Sequence, residues 1–177
     1  MAINIEDKDN KKLRANNLGA EPERPVLKGN EGSIKARKAA ARLAAVQVLY
    51  QVHLNEQSAD AALADFIKNR IGYKLDGDVF VPANKELLTK IVKGVEDRLE
   101  DIDNIVKNAL AKGNKADVEL LLNSILRAGV YELISDSSVD SGIIINDYMN
   151  VTTAFYEGSE SKIVNAILDG VAKQVRE

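Results

Sequence analysis

The sequence predicts an all-α fold of about six or seven helices, and three observations support this class. Apolar residues recur at helical spacing along most of the chain after residue 33, helix-capping side chains precede several of these runs, and only one segment has strand-like composition. That segment, 139–148, contains three consecutive isoleucines, which favour a strand by propensity. Because no second clear strand exists to pair with it, the fold is predicted to be helical and the conformation of 139–148 stays open.

The first 32 residues differ in composition from the rest of the chain. They combine Asn, Lys, Glu and Gly with two of the three prolines, and they show no apolar periodicity. Such a segment buries too little apolar surface to offset the entropy that it loses on ordering. We therefore predict a disordered tail over 1–32 and one helical domain over 33–177, a length that suits a single core.

Capping residues and glycines delimit the first predicted helices. Ser33 can cap a helix that stops near Asn55, and Ser58 can cap a second helix that is ended by Gly72. The following segment, 73–82, contains Asp-Gly and Pro, which indicates a loop or a brief hairpin.

A long helical pattern then runs over 87–110 and is closed by Gly113. Its acidic stretch leaves open whether it is one helix or two. Asp117 can cap the next helix, which is apolar on nearly every side and is therefore predicted to be central and buried. Gly129 within it costs about 1 kcal/mol relative to Ala, which indicates a close helix–helix approach. Ser159 can cap the last helix.

Composition argues against most enzyme classes. The chain has no cysteine, which excludes disulfides, zinc–thiolate sites, iron–sulfur clusters and thiol catalysis. The single histidine, His53, ends an amphipathic run and is interpreted as a solvated or capping residue. No phosphate-binding glycine motif or hydrolase elbow occurs. We expect no catalytic residue, no metal and no cofactor. No apolar run could span a bilayer and no secretory signal is apparent, so we expect a cytoplasmic protein.

Positive charge is concentrated at the start of the chain. Residues 1–42 hold ten Lys and Arg against six Asp and Glu, whereas 43–177 hold fourteen against twenty-one. The start of the first predicted helix contains four cations and no acid: Lys35, Arg37, Lys38 and Arg42. Three of them share one helical face, and cations near a helix N-terminus oppose the macrodipole. These cations destabilise the helix, and no nearby acid in the sequence compensates them, which points to an anion from outside the chain. A solvated basic face is the alternative interpretation.

A second candidate site lies where the last helix is predicted to begin. Phe155 and Tyr156 precede a glycine turn, and Lys162 falls in the first turn of the helix. Backbone N–H groups at a helix N-terminus suit phosphate oxygens, and an exposed aromatic ring can stack on a base. The alternative is that these aromatic side chains pack into the core.

Three segments together resemble the NusB family of transcription antitermination proteins. They are ARLAAVQVLYQ (41–51), ILRAGVYEL (125–133) and FYEGSESKIVNAILDGVA (155–172), and the match covers roughly 33–177 in order and spacing. The resemblance implies a bundle of about seven helices in two perpendicular helical subdomains, without enzymatic activity. It also implies binding to the single-stranded boxA element of ribosomal RNA leader transcripts, together with the ribosomal protein NusE, in the antitermination complex of RNA polymerase.

The resemblance further implies roles for individual positions. On the RNA side it places Lys35, Arg37, Lys38, Arg42, Arg127, Phe155, Ser159, Lys162 and Ile163. On the side that meets NusE it places Tyr50 and Leu122.

The chain departs from the family pattern at several of these positions. Family members often have a denser arginine run where this chain has Ala39 to Ala41, an aromatic in place of Ile163, and acids in place of Ser159 and Leu122. These departures predict weak RNA binding by the chain alone, with NusE required for useful affinity. The alternative function is a protein-interaction module that binds NusE or self-associates as a homodimer, with little RNA binding of its own.

Overall fold

The computed structural model describes residues 32–71, 74–75, 78–79 and 81–176. Within these ranges the chain forms seven helices: α1 (Ile34–Asn55), α2 (Ala59–Asn69), α3 (Lys85–Asp97), α4 (Leu99–Lys112), α5 (Leu120–Ser135), α6 (Ser141–Phe155) and α7 (Glu160–Val175). Two short strands, β1 (Lys74–Leu75) and β2 (Asp78–Val79), pair antiparallel. The all-α class is confirmed. Of the two alternatives for 73–82, a loop or a brief hairpin, the paired strands show the hairpin. The predicted tail lies, apart from Gly32, outside the described residues.

Two serine caps set the beginnings of the first two helices. The Ser33 hydroxyl accepts a hydrogen bond from the backbone N–H of Ala36 at 3.1 Å. The Ser58 hydroxyl accepts one from Ala61 at 3.2 Å. Each bond satisfies a backbone donor that the helix itself leaves unpaired. Both predicted caps are confirmed, as is the end of α1 at Asn55.

Of the two other predicted caps, Asp117 is wrong, and Ser159 stands at the predicted position without a capping hydrogen bond. Helix α5 begins at Leu120 rather than directly after Asp117, whose carboxylate instead accepts a hydrogen bond from the N–H of its neighbour Val118 at 2.8 Å. Helix α7 does begin after Ser159, but the Ser159 backbone is already helical (φ −76°, ψ −6°) and its hydroxyl makes no capping bond. A cap needs an extended backbone, which directs the side chain towards the first N–H groups.

Two ambiguities of the sequence are resolved. The pattern over 87–110 forms two helices that are separated at Arg98, where the backbone leaves the helical region (φ −121°, ψ 25°). The isoleucine segment belongs to α6, which starts at Ser141 because the Asp140 carboxylate accepts the N–H of Gly142 at 2.8 Å. The cap and the surrounding helices therefore override the strand propensity of the isoleucines.

Helix α5 forms the centre of the molecule, as predicted. It packs against α1, α3, α4, α6 and α7, and every residue from Ser124 to Leu133 is buried. A Cβ placed on Gly129 would lie 2.9 Å from the two terminal methyl groups of Leu168 and 3.4 Å from the Tyr148 ring. The predicted close approach therefore brings α5 against α7 and α6.

The remaining contacts divide the helices into two groups. Helices α1, α2 and α3 pack against one another, and α4 and α6 each pack against α5 and α7. The two groups meet where α5 packs against α1 and α3, α1 against α6, and α3 against α4. The perpendicular orientation of the groups stays a prediction. None of the helices in the described part of the chain has the length and apolar character needed to cross a membrane.

Candidate nucleic-acid interface

Two of the four predicted cations are free on the surface of α1. Lys35 and Lys38 lie in its first two turns and are exposed. No acid lies in the first turn of α1, and neither lysine has an ion-pair partner among the described residues. No acid of the described residues therefore compensates their charges, and the charge of Lys35 in the first turn opposes the helix dipole.

Arg37 is half-buried and contributes to the surface only in part. Its carbonyl accepts a hydrogen bond from the backbone N–H of Asn84 at 3.0 Å, which ties the start of α1 to the start of α3. The Nε atom of Arg37 is buried and has no hydrogen-bond partner in the described part of the chain. Only the outer part of this guanidinium can contribute charge to a ligand.

The prediction that Arg42 belongs to an exposed basic face is wrong. Arg42 is only 2% exposed, because the covered part of α1 begins at Ala41. Its Nε and Nη2 donate to the Glu132 carboxylate at 2.8 and 2.9 Å, and its Nη1 donates to Asp147 at 2.7 Å. The Tyr148 hydroxyl donates to the same Glu132 carboxylate at 2.7 Å. We call these four residues the buried ion cluster, and it joins α1, α5 and α6.

The side chains of the buried ion cluster stabilise one another's charges and are not exposed to a ligand. Burial disfavours the charge on Arg42, but the hydrogen bond and negative charge of Glu132, with Tyr148 and Asp147, outweigh it and raise the pKa of Arg42. Burial, followed by the nearby Glu132 charge, raises the pKa of Tyr148 well above its usual range. One guanidinium thus faces two carboxylates inside the protein. Acids in otherwise apolar helices, such as Glu132 and Asp147, are the sequence signal that points to a buried cation.

Arg127 is held by a neighbouring helix. It is 8% exposed, and its Nε and Nη2 donate to the two carboxylate oxygens of Asp103 on α4 at 2.6 and 2.8 Å. Its remaining nitrogen, Nη1, is buried and has no partner within the described residues. The structure therefore places Arg127 in a bidentate pair between α5 and α4, with little surface to offer to RNA.

The junction between α6 and α7 exposes the second group of predicted residues. All four are at least partly exposed: Phe155, Ser159, Lys162 and Ile163. Phe155 ends α6 and is 37% exposed, so its ring is accessible for stacking. Its neighbour Tyr156 is half-buried, packs against the core, and donates its hydroxyl to the Glu119 carboxylate. Tyr156 therefore packs into the core, as the alternative reading has it, whereas Phe155 is exposed.

Neighbours of the two exposed groups contact residues near different ends of α5. Arg42, one turn after Lys38, contacts Glu132, whereas Tyr156 contacts Glu119. The 13 residues between these contact points correspond to about 20 Å along the axis of α5. At roughly 3.4 Å per stacked nucleotide, a strand of about six nucleotides spans that length, whereas a single small anion does not.

The two residues predicted to meet NusE differ in exposure. Tyr50 is half-buried on α1, so part of its ring is available to a partner. Leu122 is 3% exposed and belongs to the core, so the prediction that it lies on a partner surface is wrong. A leucine at this position gains more from burial than from contact with water, and the side chain packs inward.

The histidine is neither solvated nor a cap. The Nε2 atom of His53 lies 2.9 Å from a carboxylate oxygen of Glu96, which links the last turn of α1 to α3. The described residues contain no group of three or more His, Cys, Asp or Glu side chains placed to hold a metal ion.

Comparisons with known proteins agree on one family. The model of the NusB family matches residues 39–173. Transcription antitermination protein NusB of Novosphingobium aromaticivorans is 41% identical over 145 residues, which cover 80% of this chain and 96% of the relative. The protein of the same name from Rhodopseudomonas palustris strain HaA2 is 36% identical over 155 residues, which cover 87% and 90%.

The fold also resembles that of a solved complex. The similar chain belongs to a crystal structure of the antitermination factors NusB and NusE in complex with double-stranded RNA. It superposes with a TM-score of 0.65 at 23% identity, over 80% of this chain and 99% of that one. At this identity the likeness concerns the fold.

Proposed function

The chain belongs to the NusB family, and we propose that it is a transcription antitermination factor that binds the single-stranded boxA element of ribosomal RNA leader transcripts together with NusE. The observation that carries the RNA part of this proposal is the pair Lys35 and Lys38, which is exposed and unpaired within the described residues. A solved protein of the same fold is described in complex with NusE and double-stranded RNA, which supports an assembly with NusE and RNA in general.

Electrostatics supplies the attraction of α1 for RNA. Lys35 lies in the first turn of α1, where opposing the helix dipole costs about 0.3–1 kcal/mol, and a phosphate beside it offsets that cost. Each phosphate that is neutralised on a single strand contributes a slope of about −0.7 to the dependence of log K on log salt. Two or three such contacts give weak, salt-sensitive binding, and the proposal therefore includes NusE as the source of additional affinity.

The α6–α7 junction supplies a second contact with the same strand. An exposed Phe155 ring stacking on a base contributes about 1–3 kcal/mol without selecting a sequence. Lys162 adds a cation in the first turn of α7. Because the Ser159 hydroxyl leaves the first N–H groups of α7 uncapped, these groups are available to a phosphate oxygen.

Tyr50 is the proposed contact with NusE on this chain. It lies on α1, beyond the buried ion cluster and away from Lys35, so NusE and RNA can occupy different parts of one helix. Half-buried tyrosines suit interfaces because the ring is already held in place and the hydroxyl can still find a partner.

A fluorescence-anisotropy titration of labelled boxA RNA at low salt tests the proposal. We expect weak binding by the chain alone and tighter binding when NusE is added. If RNA does not bind with NusE present, while NusE itself still docks, the RNA role is wrong.

The same protein sample can distinguish the proposed RNA-binding function from the alternative of a protein-interaction module. Sedimentation velocity at several concentrations, with and without RNA, measures self-association directly. A stable homodimer that RNA does not dissociate supports that alternative, whereas a monomer that shifts only with NusE and RNA supports antitermination.

A further inference from the structure

A groove lies between the C-terminal half of α4 and helix α7. Its volume is about 490 Å³, within the range of roughly 300–1,000 Å³ that is common for small-molecule sites. Its walls are largely apolar and include Ile105, Ala109, Ile167 and Val171. Lys112, Lys115 and Lys162 also line the groove, and no Asp or Glu is among its lining residues.

The three lysines of this groove form no ion pair within the part of the chain that the structure describes. All three are exposed, and none forms an ion pair among the described residues, whereas Lys90 and Lys93 on α3 pair with Asp136 and Asp60. A dipole effect stabilises Lys112 alone, because it lies in the last turn of α4. Lys162 lies in the first turn of α7, where the dipole opposes a cation. The charge of the groove is therefore matched to an anionic ligand from outside.

We propose that this groove is a nucleotide subsite, in which one base of single-stranded RNA lies against the apolar walls and the lysines contact its flanking phosphates. The inference rests on the proposed function and extends it to residues of α4. Lys162 and Ile163 belong both to the groove and to the α6–α7 junction, so a strand stacked on Phe155 can continue into it. Asn108 and Gln174 in the lining carry amide groups that can hydrogen-bond to a base edge.

The position of the groove beside the start of α7 favours RNA over an acidic protein segment, the other ligand that would fit its charge. An acidic protein segment would also match three lysines and an apolar floor. The groove, however, includes Lys162 and Ile163 from the first turn of α7, whose first N–H groups have no side-chain cap, and an uncapped helix start suits a phosphate. Binding of a protein segment is therefore an outcome of the test rather than the proposal.

Gly170 offers a way to fill the groove without disturbing the fold. It lines the groove, and a Cβ placed on it meets no other atom within 4 Å. Gly170→Leu should occupy the groove and favour the helix, since leucine is a better helix former than glycine. We expect boxA RNA to bind about tenfold more weakly to G170L, with an unchanged salt slope, because a base contact is lost and a phosphate contact is not. Gly170→Ala is the matched control and should bind like the wild type.

The lysines provide a second readout that does not depend on filling the groove. Lys112→Gln and Lys115→Gln should each reduce the salt slope for boxA RNA by about 0.7. Lys68→Gln is the control, because Lys68 is exposed on α2, which among the described helices packs against α1 and α3 and not against α4 or α7. It removes the same charge and should leave the slope unchanged. If G170L proves unstable in thermal melts, the two lysine variants carry the test.

The outcomes separate this inference from the proposed function. If the wild type binds boxA RNA and G170L, K112Q and K115Q bind it equally well, the groove proposal is wrong and the function stands. If G170L binds RNA normally but loses NusE, the groove takes a protein, and the proposal is again wrong. If the wild type binds no RNA even with NusE present, both are overturned.

Discussion

Two consecutive stretches of α1 carry the same kind of side chain and differ in what surrounds it. Lys35 and Lys38 are exposed and unpaired within the described residues, whereas Arg42, one turn later, is enclosed by two carboxylates and a tyrosine. Helical spacing places all three on one face, but α5 and α6 cover that face only from Ala41 onward. A shared face therefore does not imply a shared function, because exposure changes along the helix as well as around it.

Substituting Arg42 gives the largest expected effect. Arg42→Met removes the cation and leaves Glu132 and Asp147 buried without compensation, which should lower the free energy of unfolding by about 3–5 kcal/mol. Urea denaturation followed by circular dichroism measures the change. Lys38→Met makes a similar chemical change on the exposed stretch and should stay within about 0.5 kcal/mol of the wild type. If the two variants were equally stable, α1 would not be divided into an exposed stretch at Lys38 and a buried stretch at Arg42.

A glycine pair extends the comparison from charge to packing. Gly129→Leu should lower the free energy of unfolding by about 1–3 kcal/mol, because its Cβ would already lie 2.9 Å from Leu168. Gly170→Leu is the control in an open position, where a Cβ meets no atom within 4 Å. A fully stable Gly129→Leu variant would mean that α5 is not closely packed at this point.

The exposed lysines should affect binding and leave stability unchanged. The double variant Lys35→Ala and Lys38→Ala should lose about 1.4 from the salt slope for boxA RNA. If the variant and the wild type bind equally at about 1 M salt, the variant then binds roughly 25-fold more weakly than the wild type at about 0.1 M. Anisotropy titrations at several salt concentrations give the slope, and thermal melts should match the wild type. A change in melting with normal RNA affinity would assign these lysines a structural role. Adding Arg42 to the variant would mix the two effects.

Local features of the structure could be predicted from the sequence, and long-range ones could not. Ser33 and Ser58 act on backbone groups three residues away, so their caps can be read directly from the chain. The partners of Arg42 lie 90 and 105 residues away, and no local pattern joins them.

The candidate site divides in the same way. The exposure of Phe155 and Lys38 follows from helix ends, which the sequence marks with caps and glycines. Lys112 and Lys115 line the proposed groove only because α4 packs against α7, and the burial of Leu122 likewise depends on the helices around it. Tertiary packing therefore determines which members of a local pattern reach the surface.

An exposed ion pair gives the smallest expected effect and the closest contrast to the buried ion cluster. Hydrogen bonds from Ser138 and Lys90 lower the pKa of Asp136 to about 2. Because the pKa is lower in the folded chain, Asp136 stabilises the fold fully above its ordinary pKa of about 4, and this contribution is lost as the pH falls towards 2. Asp136→Asn should therefore be less stable than the wild type at pH 7 by under about 1 kcal/mol, since solvent screens the pair. Urea denaturation at pH 7, 4 and 2.5 should show the difference in free energy of unfolding between the two proteins becoming smaller as the pH falls. If the difference stays constant over this range, the charge of Asp136 is not its cause.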